Sequence, residues 1–444
     1  MNKNLVPLLI FIVLVFDLLA FTSILPLFPI IIDYYGLSER RDQLYDAVEM
    51  FCQFFQNAIG TPSSERLHSV FFGGMLGSLY CLLQFLSSPL LGALSDIFGR
   101  KPILLFSIAG TLISYVIWNS ASNFTFFLLS RVIGGLSKAS VSICIAIMAD
   151  VYSKNKVVQG MAIIGAAFSV GFLIGPMVGV YFSRNAAGAN TELAINAPAK
   201  FGILLSIIEL VFVALILPET LHISQRKTLI NEVLKNCLLY IKPSALFQFA
   251  AIGDHSGVKI MRSYGRVYFI YMLLYSGLEF TLSFLTHTRF NYNSMQQGRM
   301  YLYIGVLMII VQGGIRRIAN NKQHITAIYG ISFTIPAYII IGYSNSVVEF
   351  YVGLAFYAIA SGLVVPCLTS CISNEATDDV KGVTIGVFRC LGALARAIGP
   401  LFASTVFWLL GSTVCYVVGG ILLIIPIFML RHFSPGAAAM IKKK

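Results

Sequence analysis

Four ionisable side chains sit where such side chains are costly. Asp17, Lys138, Glu279 and Arg396 each lie deep inside a long apolar run of the 444-residue chain, about 16–20 Å from its start at roughly 1.5 Å per helical residue. A charge at that depth in hydrocarbon costs about 2.5–3.5 kcal/mol on insertion scales, so it marks an ion or substrate pathway by default. A carboxylate there can take up a proton and change charge with its surroundings, and a base beside it can hold an anion and release it. Coupled transport needs both. Arg131 precedes Lys138 by seven residues and Arg389 precedes Arg396 by seven, so each pair is expected to share one face of a helix. Asp17 and Glu279 are the candidate proton-coupling acids. Lys138, Arg389 and Arg396 are the candidate substrate-binding bases, facing one central cavity. A plainer alternative makes these charges salt bridges that hold the bundle: Asp17 with Arg131 or Lys138, and Glu279 with Arg396. Four mutually neutralising charges are replaceable by apolar residues at lower cost, which argues against that as their whole role.

Two further constellations are structural in type. The loop Gly92–Pro102 (GALSDIFGRKP) separates the apolar runs 70–91 and 103–121. Its Asp96, Arg100 and Lys101 put both charge signs where two helices emerge, so they can latch one conformation. Gly92 and Gly99 are expected to allow a tight turn and close helix approach. An ordinary positive loop at a membrane surface explains Arg100 and Lys101 but not Gly92, Asp96 and Gly99. In the fifth run, Gly171, Gly175 and Gly179 recur every four residues and form a smooth ridge for close helix contact, with a kink expected at Pro176.

The elements that must carry these residues follow from composition. The chain is 57% hydrophobic and 11% charged, with a mean hydropathy of +0.82, so most of it belongs in hydrocarbon. Runs long enough to span a bilayer at about 20 residues each number twelve: 6–34, 69–91, 103–121, 124–150, 159–182, 201–217, 266–286, 297–315, 325–343, 350–373, 383–408 and 412–430. The first is too long for a cleaved signal peptide, carries Asp17, and ends in Pro26 and Pro29 rather than a small-residue cleavage site. The net charge of +12 does not point to nucleic acid. Most of the Lys and Arg fall in the termini and in the loops after even-numbered runs, the positive-inside bias that places both termini in the cytoplasm. The tail Lys442–Lys444 is expected to touch anionic lipid. Most of the eight cysteines sit in apolar runs and define no disulfide framework. The sequon at Asn123 lies too close to the bilayer for glycosylation.

The expected architecture is an all-α membrane protein of twelve transmembrane helices in two six-helix halves: residues 1–218, a cytoplasmic linker 219–264 with one or two surface helices, residues 265–430, and a basic cytoplasmic tail 431–444. The outer loop 36–68, with Asp42, Asp46, Glu49, Phe51, Phe54 and Phe55, reads as a helix on the membrane face. Traces of duplication join the halves. Gln159-Gly160 and Lys381-Gly382 each open a run that reaches a Gly-Pro pair at nearly the same distance, Gly175-Pro176 and Gly399-Pro400. Parallel repeats with a site near the midplane are the plan such chains follow.

The loop from Gly92 resembles, residue for residue, the loop 2–3 signature of the major facilitator superfamily. Asp17 followed by Pro26 and Pro29 is similar to the first helix of its tetracycline/proton antiporters, and the blocks 134–142, 161–176, 277–290, 296–300, 364–368 and 392–401 resemble its animal tetracycline transporter-like branch. The resemblance covers nearly the whole chain. It implies a secondary active transporter that moves an amphipathic organic solute, an organic anion or drug-like molecule, by alternating access coupled to proton antiport. It further implies a proton-transfer role for Arg131, a partner role for Asp150 beside the basic loop end, and an antiporter motif in Gly171, Gly175, Pro176 and Gly179. Glu209, on the peripheral sixth helix of such folds, is then expected to serve packing or an interface. The chain departs from the bacterial pattern at Arg316 and Arg317, where the acid of the second loop signature is missing; Glu375, Asp378 and Asp379 are the alternative partners. Pro218-Glu219-Thr220 differs from the corresponding sugar-porter motif. The alternatives are a facilitative carrier of a neutral solute and a non-transporting membrane scaffold. No catalytic motif, cofactor or metal site is expected. The partners are a small solute, protons and membrane lipid, with no nucleic acid; the expected state is a monomer, in the plasma membrane or an internal organelle membrane.

Overall fold

The computed structural model describes residues 5–37, 40–59, 65–152, 157–187, 191–223, 226, 237–253, 257–315, 322–377 and 380–432. Arg316, Arg317, Asp378, Asp379, most of the linker stretch 229–240 and Lys442–Lys444 lie outside them. The described chain is helical throughout. The first half comprises α1 (Val6–Thr22), continued through a 3-10 turn into α2 (Phe28–Tyr35), then α3 (Gln43–Ile59), α4 (Glu65–Phe98), α5 (Arg100–Asn119), α6 (Phe124–Ser137), α7 (Ser140–Val151), α8 (Val157–Ala187) and α9 (Thr191–Leu215). A short α10 (Pro243–Gln248) stands in the linker. The second half comprises α11 (Val258–Phe290), α12 (Ser294–Ile315), α13 (Gln323–Tyr343), α14 (Val347–Glu375), α15 (Lys381–Leu422) and α16 (Ile424–His432). α11 begins at Val258, inside the stretch read as linker.

Among the described residues, ten segments are long and apolar enough to cross a membrane by length and composition. The last of them, Lys381–His432, is two spans, because its backbone turns at Gly411, whose φ of 84° and ψ of 167° lie in a region open essentially to glycine. The polar-edged α12 supplies the remaining span, giving the expected twelve. Arg289, at the end of α11, fixes the Gly411 corner. Its Nη1 donates to the carbonyls of Ile341 (3.2 Å), Gly342 (2.8 Å) and Ser344 (3.1 Å), and its Nη2 to Ser412 Oγ (2.6 Å) and Thr413 Oγ1 (2.9 Å). The carbonyls at a helix end that lack internal partners thus gain a charged donor.

The halves meet through α4 against α15 and α8 against α12. Their contacts concentrate on the face that carries α3. Phe71 stacks on Trp408 with centroids 4.9 Å apart, Phe28 meets Phe280 edge to face at 5.6 Å, and Leu401 N–H donates to Ser78 Oγ at 2.8 Å. Asp33 and His287 approach to 3.2 Å across the same seam. A Cβ on Gly74 would lie 3.0 Å from the Pro400 carbonyl, so the backbones touch there. On the opposite face, Gly92, Gly165, Gly313, Gly314 and Gly382 have nothing within 4 Å of a Cβ position. The ring contacts between the halves thus gather towards the α3 face, and α8 also meets α12 where Ser169 Oγ donates to Gln312 Oε1 at 2.5 Å.

Candidate functional site

The charge pair deepest in the first half sits at a break in a helix. Asp17 and Lys138, each 3% exposed, form an ion pair through Oδ1 and Nζ, and Ser140 Oγ donates to Asp17 Oδ2 at 2.6 Å. Lys138 separates α6 from α7 with φ −77° and ψ 79°. Bare backbone at membrane depth is tolerated only where protein satisfies it, and three serines do so. Ser87 Oγ donates to Gly135 O (3.2 Å), Ser88 Oγ to Lys138 O (3.1 Å) and Ser107 Oγ to Ser137 O (2.6 Å), while Ala139 N–H donates back to Ser107 Oγ (3.1 Å). The break corrects the expectation that Arg131 and Lys138 share a face of one continuous helix. Lys138 reaches α1, whereas the Arg131 guanidinium lies 4.7 Å over the Trp118 ring and 5.4 Å over Phe127, with Nη2 buried and without a hydrogen-bond partner. Of the two bases considered for Asp17, the structure selects Lys138.

In the second half the Glu279–Arg396 bridge of the plainer alternative is not formed. Glu279 on α11 accepts a hydrogen bond from the hydroxyl of Tyr275 (3.4 Å), one turn before it. That hydroxyl accepts in turn from Tyr357 (2.8 Å) and contacts Ser361 Oγ. Arg396 is exposed between buried Ala395 and Ala397, within electrostatic reach of Glu279, Arg389 and Cys81 of α4. Arg389 is half-buried beside Tyr268. The two bases therefore lie along α15 where the halves face each other.

The loop charges pair inside the first half. Arg100 Nη1 donates to Asp96 Oδ1 (2.5 Å) and Ser95 Oγ (2.7 Å), and Nε to Asp150 Oδ2 (2.8 Å). These residues stand on α4, α5 and α7, so the pairing is made within the first half alone. Gly99 has φ 104° and ψ 157°, but Gly92 has open space around it, so close approach explains only the first. A residue the sequence reading passed over completes the site. Glu219, after α9, accepts from the backbone N–H of Arg100 (3.0 Å) and Lys101 (3.2 Å), capping the amides that open α5 where a negative group is favoured. Lys101 Nζ reaches the Ala214 carbonyl at 2.8 Å. The signal for Glu219 was the Pro218-Glu219-Thr220 turn, noted only as a departure from another motif.

The glycine ridge of α8 packs on α1. A Cβ at Gly171 would press on Leu18, at Gly175 on Thr22, and at Gly179 on the Ser23 backbone, and Thr22 Oγ1 donates to Gly171 O at 2.8 Å. The ridge thereby holds the helix that carries Asp17. Glu209 is only 2% exposed on α9, so of the packing and interface roles considered for it burial favours packing within the half. Among the described residues no group of three His, Cys, Asp or Glu side chains could hold a metal ion.

Twelve spans in two packed halves, charged at mid-depth and signed by the Gly92–Lys101 loop, define a membrane carrier, and the family model for the Major Facilitator Superfamily matches residues 10–400. The chain belongs to that superfamily and is a multi-pass membrane transporter, as its relatives are, not an enzyme. It is 40% identical over 438 residues to the major facilitator superfamily domain-containing protein 10 of Bos taurus, covering 97% of this chain and 93% of that protein. The Homo sapiens protein of the same name is 39% identical, covering 96% and 92%. The class H tetracycline resistance protein of Pasteurella multocida is 26% identical, covering 82% and 88%. Among solved structures, the human organic anion transporter MFSD10 (TETRAN) matches with a TM-score of 0.80 at 38% identity, covering 97% of this chain and all of that one.

Proposed function

We propose that this transporter moves an amphipathic organic solute, an organic anion or drug-like molecule, in exchange for protons by alternating access. The observation that carries the reading is the Asp17–Lys138 pair, two charges buried at a serine-lined helix break where apolar residues would give a more stable bundle. Asp17 and Glu279 take up and release the proton, with Arg131 assisting. Lys138, Arg389 and Arg396 hold the solute, a guanidinium being suited to bidentate capture of a carboxylate. Arg396 is exposed in mid-span, as a substrate-binding cation has to be. A relative described as an organic anion transporter supports the anion class, and the tetracycline resistance proteins support drug-like solutes.

The halves 1–218 and 265–430 rock as units about the linker 219–264, with Asp96, Arg100, Lys101, Asp150 and the glycines Gly92 and Gly99 stiffening the side where α4 ends and α5 begins. That side, both termini and the basic tail 431–444 are cytoplasmic. The carrier works as a monomer in the plasma membrane or an internal organelle membrane, its tail against anionic lipid. Uptake into proteoliposomes under an imposed pH gradient, across a panel of organic anions and cations, tests the reading. Accumulation of anions that collapses with the gradient is expected; equal uptake with and without it would make the protein a facilitative carrier.

A further inference from the structure

Beside the Asp17–Lys138 pair lies an acid that the pair does not use. Glu209, on α9, is 2% exposed, and its Oε1 is buried without a hydrogen-bond partner. It interacts electrostatically with both Asp17 and Lys138. The groups that interact with it come from the helices around it: Asp17 from α1, Lys138 from the α6–α7 break and Cys144 from α7, while α5 brings Tyr115 against α9 at Gly202 and within the field of Asp17 and Lys138. The remaining neighbour, α8, carries one ionisable side chain between residues 160 and 181, Tyr181, and it is 58% exposed.

Two carboxylates thus lie within the field of one ammonium group. With all three charged, the site would hold an uncompensated negative charge and an unmet oxygen in hydrocarbon, the costliest arrangement open to it. One proton on one acid makes the site neutral. Asp17 already receives Lys138 and Ser140, so the proton belongs on Glu209.

We infer that Glu209 is a proton-carrying residue of the first half that trades roles with Asp17 as the counter-ion of Lys138. In the trade, the O–H bond on the Glu209 carboxyl breaks and one forms on the Asp17 carboxylate, while the Lys138 ammonium passes from Asp17 to Glu209. One proton moves and the net charge of the site stays at zero. The trade also shifts the tether of Lys138 from α1 to α9, so the place of the proton and the packing of the helices change together. The role in transport rests on the proton-coupled reading above; the protonation itself does not.

Infrared spectroscopy of the purified full-length protein tests it without a substrate. The carbonyl-stretch band of a protonated carboxylic acid is expected in the parent at neutral pH and should be lost in Glu209→Gln, whose amide mimics the neutral acid in shape. In Asp17→Asn, Glu209 becomes the sole counter-ion of Lys138 and should ionise, so the band should be lost there too. An unchanged band in Glu209→Gln would overturn the protonation, and a band retained in Asp17→Asn would overturn the trade. If Glu209→Gln fails to fold, Glu209→Asp replaces it, and a band that neither shifts nor weakens in that variant counts against the proposal. In proteoliposomes, uptake of tritium-labelled para-aminohippurate driven by a pH gradient should fall at least tenfold in Glu209→Gln, while exchange without a gradient persists. A parent that ignores the gradient would defeat the coupled reading and leave the infrared result standing.

Discussion

At the scale of single residues, the site separates charges that the chain places at the same depth. Asp17 and Lys138 are paired and buried, whereas Arg396 is exposed and unbridged to Glu279. Asp17→Asn and Glu279→Gln should each abolish accumulation driven by a pH gradient while leaving insertion intact; uptake against a gradient in both variants would make the acids structural. Arg396→Lys should weaken anion transport more than a conservative change suggests, because an ammonium cannot reproduce the planar fork. Unchanged anion uptake in a Lys138→Gln, Arg396→Gln double variant would exclude both as anion ligands. The depth of these charges was legible from the apolar runs alone, because counting from a run's start needs only the helical rise. Their partners were not legible. Tyr275 and Tyr357 reach Glu279 from two helices, and no spacing along the chain announces that meeting.

At the scale of elements, the two signature glycines should behave oppositely. Gly99→Ala forces a side chain into a glycine-only backbone region against Glu219 and should cost about 1–3 kcal/mol. Gly92→Ala fills open space within a helix and should be neutral or stabilising by about 0.5–1 kcal/mol. Thermal unfolding of the two variants in detergent gives the comparison, and equal losses would refute the assignment. The break at Lys138 was hidden from the sequence because no proline marks it. The serines that satisfy it come from α4 and α5, far along the chain. Ser107→Ala should therefore destabilise the protein by about 1–3 kcal/mol, the cost of leaving a buried backbone group unmet. Asp42 ties α3 to the start of α6 through the N–H groups of Tyr45 (2.9 Å) and Thr125 (2.7 Å). Burial pushes its carboxyl pKa up, but these donors outweigh burial and hold it below the ordinary value. The contribution is present above that ordinary value and lost as pH falls through the lowered one. Protection of the Thr125 amide, taken against its intrinsic exchange rate, should fall on acidification, and Asp42→Asn should remove the pH dependence of that protection.

At the scale of the whole molecule, the cross-half contacts on the α3 face are those that the proposed rocking of the halves would separate. A disulfide between Phe71→Cys and Trp408→Cys, replacing rings now 4.9 Å apart, should stop transport and release it on reduction. Transport with the cross-link intact would rule out rocking of the halves. The twelve spans and their pairing into halves were legible because spanning length is set by the bilayer. The conformation was not, since alternating states share one hydropathy profile.

The corner at Gly411 also governs how the chain is made. Arg289 is synthesised long before the groups at Ser412 and Thr413 that receive half of its guanidinium. Until those residues leave the ribosome, a charged group at the end of α11 stands incompletely satisfied, and α15 has no folded-back partner. The second half is therefore expected to mature late and as a unit. Chains ending shortly before Ser412 should be degraded far faster than chains ending just after His432, a difference that pulse-chase measurement of the two truncations would reveal.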